Sequence, residues 1–134
     1  MRQGKDFLEP DRRLDELADQ VIGAALEVHK VIGPGYLETV YEEALCQELS
    51  LRSITFARQP EFTLTYKGQP VGQGRLDLLV EESLIVELKA VDALAAIHHA
   101  QVISYLRALH LKLGLLINFN APLLKHGIRR VILS

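Results

Sequence analysis

Apolar residues recur at helical spacing at Leu14, Leu17, Ala18, Val21, Ile22, Ala25, Leu26, Val28 and Val31. The spacing predicts an amphipathic helix. It should stop at Gly33-Pro34-Gly35, where a helix-ending glycine and a proline fall together. A second helical pattern runs from Leu37 to Leu51, with Val40, Tyr41, Ala44, Leu45 and Leu49 on one side. The period then shortens. Glu61 to Tyr66 alternates like a strand, and Lys67-Gly68-Gln69 reads as a turn. Val71–Val80 and Leu84–Ala90 read as two further strands. Asp92 is placed to cap a helix over Ala93–Leu111. Leu113–Phe119 and Ile128–Leu133 complete the pattern as two short strands. The predicted order is ααβββαββ, a mixed α/β (α+β) sandwich with hairpins and one crossover helix. Residues 1–13 are charged, carry Gly4 and Pro10, and read as a loose arm before a single domain over 14–134.

Composition adds limits. The chain has 134 residues, of which 49% are apolar and 24% charged. That is one domain's length, with enough apolar surface for one core. Cys46 is the one cysteine, so there is no intramolecular disulfide framework and no multi-cysteine zinc site. No apolar run approaches membrane-spanning length, and the charged start does not resemble a signal peptide. A cytoplasmic protein is therefore expected. Net charge is −2 but uneven: residues 1–90 carry 10 Lys/Arg against 16 Asp/Glu, and residues 91–134 carry 5 against Asp92 alone. This asymmetry points weakly to an anionic partner or, equally, to a solvated basic surface.

The informative stretch is GRLDLLVEESLIVELKA. Leu76, Leu78, Val80, Leu84, Val86 and Leu88 would share one face, while Asp77, Glu87 and Lys89 interrupt the other. If Glu81-Glu82-Ser83 is a hairpin loop, Val80 pairs with Leu84, and the same register sets Asp77 opposite Glu87. Two carboxylates so placed repel unless a cation neutralises them. Magnesium suits such a pair, because it takes one or two carboxylates, waters and phosphate oxygens. Lys89 projects from the same face and can steady developing phosphorane charge or help orient or deprotonate water. The plainer alternative is a solvated salt bridge on an exposed sheet face.

Gln101 and Tyr105 share a face of the crossover helix at i, i+4. Glu38 opens the second helix and can bring a third carboxylate, or it can simply favour the helix dipole. His98 shares the face of Gln101, as a phosphate or metal contact or as a satisfied helix-start residue. Tyr41 and Tyr105 taken alone read as core or interface aromatics. His29 is expected to pack at the end of the first helix. Cys46 reads as a buried small apolar residue with no base to activate it.

Together these residues resemble a known family. Gly35-x-x-Glu38-x-x-Tyr41, then Arg75-Leu76-Asp77, Val86-Glu87-Leu88-Lys89-Ala90, Ala100-Gln101 and Gly114–Phe119 occur in the order found in the GxxExxY protein family. That family is grouped with the PD-(D/E)XK nuclease-like superfamily. The resemblance covers about residues 14–133. It implies a restriction-endonuclease-like core, a central mixed sheet flanked by helices with the site at one end. It implies Asp77, Glu87 and Glu38 as metal ligands and Lys89 as the catalytic lysine. Gln101 would orient substrate or water, with Tyr105, Tyr41 and His98 in support. Leu76 stands where the superfamily's name has proline, and His99 where a glutamate is expected.

The expected activity is a Mg2+- or Mn2+-dependent nuclease acting on nucleic acid, with DNA favoured. A homodimer or a protein partner would enlarge the grip on a duplex. The rival readings are a nuclease-fold module that binds nucleic acid or protein without cutting, and a structural oligomeric scaffold.

Overall fold

The computed structural model describes the backbone of residues 3–133 and the side chains of residues 12–133. Two helices come first, α1 (Gln3–Ile32) and α2 (Glu38–Leu51). Strands β1 (Phe56–Arg58), β2 (Glu61–Tyr66), β3 (Gln69–Arg75), β4 (Leu78–Val80) and β5 (Leu84–Lys89) follow. Helix α3 (Ala96–Leu109) then crosses to β6 (Leu113–Asn118), and a 3-10 turn at Leu124–Gly127 leads into β7 (Ile128–Ile132).

The central sheet has five strands in the order β1-β4-β5-β6-β7, and β2 and β3 form a separate two-stranded sheet. Strands β5 and β6 are parallel, while the other neighbours in the central sheet are antiparallel. A parallel pair needs a crossover, and α3 supplies it. The sheet therefore buries both faces, against α1 and α2 on one side and α3 on the other. Leu78, Val80, Leu84, Val86, Leu88, Leu115 and Ile117 pack with Ala18, Val21, Tyr41, Leu45 and Phe119. Ile85, Leu116 and Val131 pack with Val102 and Leu106 of α3. Gly114 makes that second contact close, since a Cβ there would stand 2.7 Å from Val102 Cγ1.

This is the mixed sandwich expected, with instructive differences. Helix α1 starts at Gln3, so the backbone of residues 3–13 is helical where a loose arm was expected. Gln3, Lys5, Leu8, Glu9, Arg12 and Arg13 are good helix formers and continue the helix past Pro10. Residues 1 and 2, and the side chains up to Asp11, lie outside the described part. The expected strand Val71–Val80 is two strands, because the chain leaves the hairpin sheet at Arg75 and joins the central sheet at Leu78. Leu76 consequently turns to the α3 side, not to the face of Leu78 and Val80. Asp92 does not cap α3: the helix begins after Ala95, whose backbone N–H is met by the His98 side chain. Asn118 instead holds the preceding segment, accepting from Val91 N–H at 3.0 Å and donating to Val91 O at 2.9 Å.

On α2 the buried residues are Tyr41, Glu42, Leu45, Cys46 and Leu49, whereas Val40 is 40% exposed. Glu42 thus faces inward where Val40 was expected to. A buried carboxylate is tolerated only with partners, and Glu42 has them, as described below. Strand β1 and the 3-10 turn carried too few residues to show a period. Among the described residues, no helix is long and apolar enough to cross a membrane.

Candidate functional site

The β4–β5 register aligns Leu78 with Val86, Leu79 with Ile85 and Val80 with Leu84. That is the expected register, and it brings Asp77 to Glu87. The two carboxylates are tied to each other's backbone. Asp77 N–H donates to Glu87 Oε2 at 2.7 Å, and Leu88 N–H donates to Asp77 Oδ2 at 2.7 Å. These side-chain bonds take over where the β4 ladder has ended. The second oxygens, Asp77 Oδ1 and Glu87 Oε1, take no hydrogen bond from the described residues.

Glu87 is 4% exposed. Burial, and then the charge of Asp77, push its pKa up to about 8, against the bond from the Asp77 backbone and the charge of Lys89. Asp77 is raised too, by burial first, although the Leu88 N–H and Lys89 oppose it. Glu38, on the first turn of α2, is raised by burial and then by Asp77. Its field couples to Asp77, Lys89 and Glu42, so the start of α2 adjoins the strand ends. All three acids are raised, first by burial and then by the charge of neighbouring carboxylates. The Lys89 side chain makes no hydrogen bond or ion pair among the described residues, although its charge opposes the rise of all three acids.

The remaining expected residues divide. Tyr105 is partly buried on α3, and its hydroxyl is raised by burial and then by Glu87 and Asp77, which puts it beside the pair. Its ring meets Phe62 of β2 edge-to-face, with centroids 5.5 Å apart. Gln101 lies one turn earlier on α3 and is exposed. His98 does not point its Nδ1 at the acids: that nitrogen accepts Ala95 N–H at 2.9 Å at the helix start. Tyr41 is fully buried, stacked on Phe119 at 4.7 Å. Its hydroxyl donates to Gly33 O at 2.6 Å and accepts Tyr36 N–H at 3.1 Å. It shapes the turn in which Gly33 and Gly35 take φ values of 75° and 107°. The tyrosine therefore sets the entry of α2 and so the place of Glu38.

Three residues that the sequence reading passed over lie behind this cluster. Glu42 Oε2 accepts from Arg58 Nε at 2.8 Å and from Gln59 Nε2 at 2.9 Å. Arg58 also donates to Glu43 Oε1 at 2.9 Å. The one sequence signal was the i, i+4 spacing of Glu38 and Glu42, which sets both on one side of α2.

Among the described residues, no three of His, Cys, Asp and Glu stand close enough to form a ready metal cage. The donor chemistry instead fits a cation that needs one or two carboxylates and completes its shell with water and phosphate. The acids are oxygen donors lacking counter-charge, and their spare oxygens are available. A concavity of about 410 Å3 lined by Arg13, Leu14, Leu17, Glu81 and Lys112 lies by the β4–β5 turn, at the far ends of these strands. It includes none of the site residues.

Comparison with curated proteins and with solved structures gave no significant match. A family model nevertheless spans nearly the whole chain: it matches residues 15–131, and the protein belongs to the PD-(D/E)XK nuclease superfamily.

Proposed function

We propose that the protein is a divalent-metal-dependent nuclease that hydrolyses nucleic-acid phosphodiester bonds, with DNA the favoured substrate. The observation that carries this reading is the Asp77–Glu87 pair at the strand ends, Glu87 buried and Asp77 half-buried with both pKa values raised, and the Lys89 side chain two residues on, which makes no hydrogen bond or ion pair among the described residues. Asp77 and Glu87 would hold a magnesium or manganese ion, with Glu38 as a further carboxylate from α2. The ion, when bound, supplies Lewis acidity toward a phosphate oxygen and toward water. Lys89 steadies negative charge on the phosphoryl oxygens and helps orient the attacking water. Gln101, exposed on α3, orients water or substrate, and Tyr105 supports it from the next turn. The motif Gly35-x-x-Glu38-x-x-Tyr41 supports the narrower assignment to the GxxExxY family. One domain over 14–134, in the cytoplasm and paired with a second copy or another protein, completes the proposal.

The test is metal titration joined to a cleavage screen. Wild-type protein should bind Mn2+ saturably and cut single- or double-stranded DNA in its presence. Asp77→Ala should lose both, and Lys89→Ala should lose cleavage, with circular dichroism unchanged in each. Unchanged cleavage in both variants would sink the assignment.

A further inference from the structure

The cluster behind the acids does more than neutralise a buried glutamate. Gln59 bridges two parts of the site. Its side-chain amide donates to Glu42 Oε2 at 2.9 Å, and its backbone N–H donates to Asp77 O at 2.8 Å. One residue on, Pro60 O accepts Leu76 N–H at 3.1 Å. The two residues before Leu78 are thus gripped from the β1 side, at the point where β3 has ended and β4 has not begun. Gln59 does this from a left-handed backbone with φ of 55°. A glutamine held there is strained, and such strain persists only where the surroundings over-determine it.

The other end of the bridge is equally constrained. Glu42 is 4% exposed and sits one helical turn after Glu38. Arg58 balances its charge and leaves Oε2 shared between the guanidinium and the Gln59 amide. A chain of contacts therefore runs from α2, which carries Glu38, through Glu42 and Gln59 to the backbone of Asp77. It joins the two elements that must stay in register for their carboxylates to meet one ion.

We infer that Glu42 and Gln59, with Arg58 as counter-ion, are positioning residues that lock the Asp77 segment to α2 and so set the spacing of the metal-binding carboxylates. This rests on the metal-binding reading of Asp77. Outer partners of metal ligands typically change affinity by about 10–100-fold when lost.

The test uses the full chain and Mn2+ alone, read by calorimetry, with backbone amide exchange followed by NMR. Gln59→Asn shortens the side chain beyond reach of Glu42 yet suits a left-handed backbone. It should keep its thermal midpoint, lose about 10-fold or more in Mn2+ affinity, and exchange faster at Asp77 and Leu88 but not at Val86 or Leu115. Gln59→Glu should bind Mn2+ still more weakly, because it opposes Glu42. The double variant Glu42→Gln/Gln59→Glu restores a donor facing an acceptor and keeps an oxygen for Arg58. It should recover most of the affinity. Unchanged affinity and exchange in Gln59→Asn, or a double variant no better than Gln59→Glu, overturns the inference. If wild-type protein binds no Mn2+, the nuclease reading fails by itself. Amide exchange at Asp77 and Leu88 then decides the positioning role, faster exchange upholding it and unchanged exchange overturning it.

Discussion

At Glu87 two effects push the same way. Burial and the Asp77 charge raise its pKa from the ordinary 4.5 to about 8. The folded chain then holds a proton that the unfolded chain has released across that window. Stability from this group is complete below about pH 4.5 and falls as pH rises through 8. Asp77 and Glu38 are raised as well and add to the same trend. In EDTA, the thermal midpoint should therefore fall from pH 5 to 8, and Glu87→Gln should flatten the slope. Saturating Mn2+ should flatten it too. Equal slopes for wild type and Glu87→Gln in EDTA would refute this account. Tyr41 gives a contrasting case, a fully buried side chain whose hydroxyl serves the backbone. Tyr41→Phe leaves Gly33 O without its partner and should cost about 1–3 kcal/mol in urea unfolding. The same substitution should weaken Mn2+ binding only through the placement of Glu38.

At the scale of elements, glycines decide how closely parts approach. A Cβ at Gly114 would press to 2.7 Å from Val102 Cγ1, so Gly114→Ala must push α3 away from β6. Overpacking of this kind costs about 1–3 kcal/mol. Because α3 carries Gln101 and Tyr105, cleavage should fall by more than the stability loss explains, while Mn2+ affinity, which the proposed function assigns to carboxylates outside α3, should hold. Gly74 plays a similar part in the hairpin. Phe62 lies across it, with a built Cβ only 2.3 Å from the ring, and Phe62 in turn meets Tyr105. A two-stranded hairpin is marginal alone, and this aromatic contact ties it to the main body. The period of β2 and the turn at Lys67-Gly68 were readable because apolar and polar residue types alternate along Glu61–Tyr66, although only Phe62 of that strand is partly buried. The end of β3 was not readable, because Leu76, Leu78 and Val80 keep the alternation across a break caused by distant partners. Pro60 O and Gln59 N–H make that break, and both lie outside any local window.

For the whole molecule, burial is uneven. Leu78 is fully buried in the larger core, whereas Leu64 of the hairpin is 36% exposed. Leu78→Ala should cost about 2–5 kcal/mol in chemical unfolding, and Leu64→Ala should stay within about 1 kcal/mol. Equal losses would show that the hairpin belongs to the same cooperative core. The basic bias of residues 91–134 looks different once folded. Arg130 pairs with Asp15 of α1 at 2.5 Å, and Arg129 donates to the carbonyls of His126 and Ile128. Charge clustered along the chain is thus partly engaged with partners across the fold.

The sequence by itself determined that three helices form, though not where α1 and α3 begin, and it determined most strands, the β4–β5 register and the placing of Glu87 and Lys89 two residues apart on β5. These depend on local period and on a short loop, whose length counts residues across to the opposite strand. It also carried the Gly35-x-x-Glu38-x-x-Tyr41 spacing. Tertiary structure alone decided that Glu42 turns inward rather than Val40, since burying a carboxylate depends on Arg58 and Gln59 from another element. It decided that His98 closes the start of α3 and that Leu76 faces α3. The raised pKa values also arose only there, because desolvation and unbalanced charge exist only when distant residues share one buried space.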